Sequence, residues 1–535
     1  MQIIKDATLG DILKRTIQRW PDRPAIQYKD DIWTYRQVDA ETDKIAAGFL
    51  AAGIKKGTHV GIWANDRPNT LLCLYALIKI GAVAVMLGTS LSENEIKSHL
   101  EESDTEYLLF DEGYKGIDFL GICRRLSLPR LSRLIFIGLM KQQDFDTLKD
   151  LCAEGKGISA EQLYNAKCSV RPEDPDVILF TSGTTSSPKG VVTTHYSRVN
   201  NIMAQAEAIN TTHKDKFLIA IPMFHCFSLS GSILAAMTSG ACVCFSEDRR
   251  TQTILRTVES CRCTVFNAVP TLFSALLARE DLDSYNLSSL RTGLIGGSMY
   301  PPSLFIEVCL RMGIDLLPSL GQTEAAAGFT VGSYSDSMET KSSTVGHFME
   351  HTDGCIMDQS GNLVETGKPG EICIRGYNVM KGYYKHPELT DKVIDKNGWL
   401  HTGDLGYLDE KNNIHMIGRI KELIIRGGEN IAPGEIENVI LEKPGVKEVK
   451  VVGIPDDHYI EEICSCIVCE EDIKITEKEI RDHVKGRLAY YKVPKYILFM
   501  DEIPKATNGK YDIMKCKEKA TQMLGIKRDT SHPAR

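Results

Sequence analysis

Hydrophobic positions along the first part of the chain switch repeatedly between helical and strand spacing. Residues 9–20 carry apolar side chains at helical intervals and stop at Pro21, residues 25–28 read as a strand, and residues 38–50 form an amphipathic helix closed by Gly53. A strand at 59–63, a helix at 69–80 and a strand at 83–87 follow. A short apolar run at 177–180 predicts a buried strand. Beyond it the alternation restarts with helix 196–209, strand 217–221, helix 230–239 and strand 241–245. This pattern predicts an α/β protein with largely parallel sheets arranged as two similar lobes.

From about residue 344 short strands separated by Gly, Asp and Asn turns predict a β-rich subdomain. After 414–425 comes a smaller α+β unit, with helices at 433–441 and 477–488 and strands near 449–452 and 463–468. The expected division is a large N-terminal domain at 1–420, a small C-terminal domain at 421–525 and a polar tail at 526–535. A chain of 535 residues is too long for one core and fits several folding units.

Charge and cysteine usage narrow the class. A net charge of −8 leaves no basic surplus for general nucleic-acid binding, though a local basic pocket is compatible with it. Of the 16 cysteines, Cys242/Cys244, Cys261/Cys263 and Cys464/Cys466 form C-x-C pairs within apolar runs, which alternation places on one strand face. Cys466 and Cys469 make one C-x-x-C with no second pair or histidine at zinc-finger spacing, so reduced core thiols are expected. No signal peptide, membrane-length apolar run or terminal Ser-Lys-Leu is visible. The expectation is a cytoplasmic monomer or homodimer with no integral membrane segment.

Candidate chemistry begins after the run at 177–180. Thr181-Ser-Gly-Thr-Thr-Ser-Ser-Pro-Lys-Gly190 combines small residues, hydroxyls and Lys189 between a strand and an expected helix, which suits a phosphate cradle. It is not G-x-x-x-x-G-K-[ST], and taken alone a Ser/Thr-rich surface turn competes with the cradle. Gly155-Lys-Gly157-Ile-Ser-Ala160 matches a dinucleotide fingerprint only formally, because it follows a helical pattern. Farther on, Glu324 in Ser319-Leu-Gly-Gln-Thr-Glu324 could hold Mg²⁺. Asp404 and Arg419 could serve a ribose, and Asn508-Gly-Lys510 offers a late cation.

Together these segments decide the matter. The ordered series 181–190, Gly321-Gln-Thr-Glu324, Thr402-Gly-Asp404, Gly418-Arg-Ile-Lys-Glu-Leu-Ile424 and Asn508-Gly-Lys510 resembles the signature series of the adenylate-forming superfamily. That family includes acyl- and aryl-CoA synthetases, nonribosomal-peptide adenylation domains and beetle luciferases. The resemblance implies two steps: a carboxylate attacks the α-phosphate of MgATP to give acyl-AMP and pyrophosphate, and a thiol then takes the acyl group. It also implies roles. Thr181, Ser182, Gly183, Thr184, Thr185 and Lys189 would hold the β/γ-phosphates, with Thr184 and Glu324 serving the metal. Gly297, Ser298, Leu320 and Gly321 would frame the adenine, Gln322 would belong to the same nucleotide site, Thr323 would lie at the α-phosphate, and Asp404 and Arg419 at the ribose. Lys510 would bridge carboxylate and α-phosphate. Lys421 would be the hinge, and Arg426, Gly427 and Gly428 would belong to the coenzyme A path.

The acid is less legible. Where amino-acid-adenylating relatives resemble one another in a Phe-Asp segment, this chain has Phe224-His225-Cys226-Phe227, so an α-amino acid is disfavoured. His225 would stand beside the carboxylate, with a core histidine as the competing reading. Ser228, Ser232 and Ala325 to Ala327 are small enough to admit an apolar acyl or aryl group. Leu320, His347, Phe348 and Ile460 depart from the usual family residues. The expected function is a fatty- or aryl-acid–CoA ligase using ATP, Mg²⁺ and coenzyme A. The alternative acceptor is a carrier protein's phosphopantetheine arm, in trans; a luciferase-like oxygenase and a scaffold with a decayed site stand behind it.

Overall fold

The computed structural model describes residues 2–140, 143–181, 188–426, 429–456, 459–470, 473–505 and 511–526. Its largest sheet runs in the order Gly382–Tyr383, Lys189–Thr194, Pro175–Thr181, Val83–Met86, His59–Trp63, Tyr107–Phe110, Arg133–Phe136, Asp146–Thr147. From Pro175–Thr181 onward every neighbouring pair is parallel, while Lys189–Thr194 and, outside it, Gly382–Tyr383 add antiparallel pairs. The connecting helices carry readable end signals. Thr34 and Gln37 form a reciprocal cap on Tyr35–Ala51, while Pro68–Ile80 starts on proline and stops at Gly81 with φ 72°.

A second sheet orders Lys216–Ile219, Cys242–Phe245, Pro24–Tyr28 and Asp31–Thr34, and bridges at Val265 link it to the parallel pair Thr292–Ile295 and Asp315–Pro318. The two expected lobes are therefore present but interleaved. Pro24–Tyr28, from the start of the chain, pairs with Cys242–Phe245, while Pro175–Thr181 joins the first sheet. Periodicity gives the elements; it does not give their partners.

Two local expectations change, and one holds. The cradle does not lead straight into a helix, because strand Lys189–Thr194 intervenes and helix His195–Ala208 is capped by Thr194. The helix expected at 230–239 is a π-helical segment, Leu229–Leu234, followed by α-helix Ala235–Ser239. Gly155, in the formal fingerprint, packs against a helix: a Cβ there would stand 2.5 Å from Gly48 N.

The β-rich subdomain is an antiparallel sheet of Thr352–Met357, Gly370–Gly376, Leu400–Leu408 and Ile414–Arg419. After the turn Ile420–Glu422 the chain enters another sheet, where Ile424–Arg426, Val446–Asp456, Ile460–Cys469 and Tyr496–Phe499 surround a small apolar core with helices Pro433–Leu441 and Glu477–Lys485. The sixteen cysteines are free thiols, including the buried pairs Cys242/Cys244, Cys261/Cys263 and Cys464/Cys466. Among the described residues no helix is long and apolar enough to cross a membrane.

Candidate active site

Strand Pro175–Thr181 is buried from Asp176 to Leu179 and paired on both edges. Thr181 faces Lys189 on the last rung, so the ends bracketing 182–188 stand at the C-terminal edge of the parallel strands, the usual ligand edge of an open α/β sheet. Ser182, Gly183, Thr184 and Thr185 lie outside the described residues.

Lys189 and Glu324 meet through a tyrosine. Lys189 Nζ lies 5.5 Å from the centre of the Tyr383 ring, and Tyr383 Oη donates to Glu324 Oε1 at 2.8 Å. Burial, with the Glu324 charge beside it, pushes the Tyr383 phenol well up, so it remains a donor. Glu324 Oε2 takes no hydrogen bond from the described residues and is a suitable oxygen for a hard cation.

Glu324 sits on the single turn Thr323–Ala325, and its carbonyl accepts from Met380 N at 2.8 Å. The next residue, Ala326, has φ 58°, a conformation costing a residue with a Cβ about 1–2 kcal/mol. Buried donors hold it there. Ala326 O accepts from Ser230 Oγ at 2.8 Å and Arg198 Nη1 at 3.4 Å, and Asn201 Nδ2 donates to Gly328 O at 2.7 Å. Arg198 is itself ion-paired to Asp176, and neither side chain has any solvent exposure.

Asp404 and Arg419 are cross-strand partners, with Arg419 Nε 3.1 Å from Asp404 Oδ1. Asp404 is buried, and its Oδ2 has no partner among the described residues. A buried acceptor left unpaired costs about 1–3 kcal/mol, so the site suits a hydroxyl donor such as a ribose. Burial raises the Asp404 pKa to about 6; Arg419 pulls it down, while Glu422 and Glu324 push it up. Because the folded pKa exceeds the ordinary value of 3.8, this group favours folding below about pH 4, and that contribution is lost as pH rises through 6. Binding of a hydroxyl donor has the opposite dependence. Affinity for adenosine, which carries no titrating phosphate, is expected to rise about tenfold from pH 5 to 7. Calorimetric titration of wild type and Asp404→Asn checks this: the slope should vanish in the variant, and an unchanged slope refutes the assignment.

The segments expected around adenine are adjacent. A Cβ on Gly296 would stand 2.3 Å from Ser319 O, and one on Gly321 would stand 2.4 Å from Ala327 O. Gly297, at φ 92°, turns the chain before the exposed Ser298. Leu320 packs into the β-rich subdomain's core, and Gln322 precedes the Glu324 turn. Thr323 Oγ1 lies 3.7 Å from Cys226 Sγ, which places His225, at the start of Cys226–Ser228, near the same turn. The His225 ring lies 4.5 Å from that of Phe224. Ser228, Ser232 and Ala325 to Ala327 are buried. Phe348 fits against Gly354, where a Cβ would stand 2.3 Å from its ring.

The remaining expected residues lie elsewhere or outside the description. Lys421 is exposed on the turn Ile420–Glu422. Arg426 is held by Glu462, at 2.7 and 2.9 Å, with its guanidinium 4.4 Å from the Tyr459 ring centre. Gly427, Gly428 and Lys510 lie outside the described residues. The sequence reading missed Asp176, Arg198 and Tyr383. A signal existed for Arg198: it shares a helix with Asn200, Asn201 and Gln205, too many polar residues for a face spaced like core.

Comparison with known proteins agrees with this geometry. The family described as AMP-binding enzyme matches residues 13–384, and the AMP-binding enzyme C-terminal domain matches residues 435–510. The chain is 36% identical to the putative acyl-CoA synthetase YngI of Bacillus subtilis (strain 168), over 97% of this chain and 98% of that protein. It is 32% identical to the mitochondrial medium-chain acyl-CoA ligase ACSF2 of Danio rerio, over 98% and 90%. Among solved structures, the anthranilate CoA ligase AuaEII in complex with anthranoyl-AMP has the same fold, with a TM-score of 0.87 at 23% identity, covering 98% of this chain and 99% of that one.

Proposed function

Because the chain belongs to the AMP-binding enzyme family, we infer that it is an AMP-forming acid–CoA ligase, which activates a carboxylic acid with ATP and passes the acyl group to coenzyme A. The observation that supports this most directly is the buried Asp404 carboxylate, paired through one oxygen to Arg419 and free to receive a hydroxyl at the other. In this reading Lys189 and the hydroxyls of 181–185 hold the departing pyrophosphate, and Lys510 neutralises charge as the acid's oxygen attacks the α-phosphorus. Thr184 and Glu324 would hold Mg²⁺, which, when bound, shields the phosphate charge. Tyr383 keeps the Glu324 carboxylate aimed, and Glu324's backbone is fixed by the turn that Ser230 and Arg198 support.

The small domain would begin at residue 421, where the chain changes sheets, with Lys421 as the pivot between the two half-reactions. The relatives named acyl-CoA synthetase and medium-chain acyl-CoA ligase favour a medium-chain fatty acid over an aryl acid. Free thiols throughout favour a reducing compartment, the cytoplasm being our assignment.

Pyrophosphate release across a panel of straight-chain, aryl and amino acids, with and without coenzyme A, tests the reading. Medium-chain acids should give the highest kcat/KM, and coenzyme A should raise turnover by converting the adenylate to thioester. No release with any acid refutes the enzyme assignment. Release that coenzyme A leaves unaltered points to a carrier protein as acceptor.

A further inference from the structure

We propose that Glu371, Cys373 and His401 form a binding site for a thiophilic divalent cation of the zinc type. Glu371 and Cys373 are two residues apart on strand Gly370–Gly376 and so face the same side. His401, on Leu400–Leu408, is the cross-strand partner of Cys373, which puts its ring on that side too. A carboxylate oxygen, Cys373 Sγ and a ring nitrogen of His401 all lie within 4.8 Å of one another. Sequence spacing hides this set, because strand register alone brings position 401 beside 373.

The distances suit tetrahedral coordination. Metal–sulfur and metal–nitrogen bonds of about 2.3 and 2.0 Å give a tetrahedral ligand-to-ligand edge of roughly 3.5 Å. Cys373 Sγ stands 3.5 Å from His401 Nδ1. Glu371 Oε2 stands 2.8 Å from the same nitrogen, so the carboxylate need only open by about half an ångström to reach the corresponding edge of roughly 3.3 Å. Both contacts converge on His401 Nδ1: in the metal-free protein its N–H donates to Glu371 Oε2, and the nitrogen becomes a ligand once the ring's proton moves to Nε2.

The ligand types select the metal. Thiolate, imidazole and one carboxylate suit zinc or cadmium, whereas magnesium wants oxygen alone. Cys373 is fully buried, while the Glu371 and His401 side chains are 18% and 29% exposed, so a cation enters from their side and keeps a water as fourth ligand. On binding, the Cys373 thiol gives its proton to the buffer. Glu371 Oε1 also accepts from Gly403 N at 2.9 Å, so a bound cation would fix the backbone one residue before Asp404.

The test is titration of the chelator-treated full chain with Cd²⁺, followed by the ultraviolet thiolate-to-metal band. One equivalent should bind, and Cys373→Ser should lose that band. His401→Gln, which keeps the thiol, should bind roughly 100-fold more weakly. Cys168→Ser, at an exposed thiol, should match wild type. A band retained in Cys373→Ser, or wild-type affinity in His401→Gln, overturns the proposal. X-ray absorption at the cadmium edge of the wild-type protein needs no variant to fold. One sulfur with nitrogen and oxygen neighbours supports the site, and an all-sulfur shell overturns it.

Discussion

Lys510→Ala is expected to lower acyl-adenylate formation by about 10²–10³-fold while leaving thioester formation from supplied acyl-AMP near the wild-type rate. In the first half-reaction negative charge accumulates where the acid's oxygen approaches an already anionic α-phosphate. A cation placed between the two relieves repulsion that grows toward the transition state, so its loss falls on kcat more than on KM. In the second half-reaction pyrophosphate has gone and the thiol attacks a neutral carbonyl, which asks little of that lysine. The residues flanking 506–510 are fixed: Lys505 and Tyr511 bridge each other, and both contact Glu448. Acid-dependent exchange of pyrophosphate into ATP measures the first step, and acyl-AMP plus coenzyme A measures the second. Equal loss of both refutes the role.

Much of this arrangement could be read from the chain, for reasons that differ by residue. The helix read at 69–80 falls within a residue of Pro68–Ile80, whereas the one read from residue 38 begins a turn earlier at Tyr35, where the Thr34/Gln37 cap was missed. Asp404 and Arg419 were legible as residue types suited to a ribose, and the strand register then sets them side by side. Strand Lys189–Thr194 was hidden: its last residue, Thr194, is strand end and helix cap at once, so no turn signal separates the strand from helix His195–Ala208. The interleaving of lobes was hidden because pairing between Ile26 and Val243 is a property of the fold and of no local pattern. Tyr383 escaped notice for the same reason, since its contact with Glu324 spans 59 residues.

Asp176 and Arg198 are the other hidden pair, and breaking them carries the largest expected cost in stability. Arg198 bonds Asp176 and Thr193 on one side and Ser230, at 2.7 Å, on the other, while Thr193 Oγ1 donates to Asp176 Oδ1 at 2.7 Å. Removing one partner strands a charge where water cannot reach it, a cost of about 3–5 kcal/mol. Asp176→Ala and Arg198→Ala should each lower the urea midpoint by that equivalent, and the double variant should lose less than the sum. Replacing both by Asp176→Leu with Arg198→Met removes the stranded charge and should recover most of the stability. Activity should not return with it. Ala326 O then keeps only the Ser230 donor, so the strained turn that aims Glu324 loosens and pyrophosphate exchange stays depressed by about tenfold or more. If the apolar pair restores exchange together with stability, the buried ion pair serves folding alone and has no part in positioning Glu324.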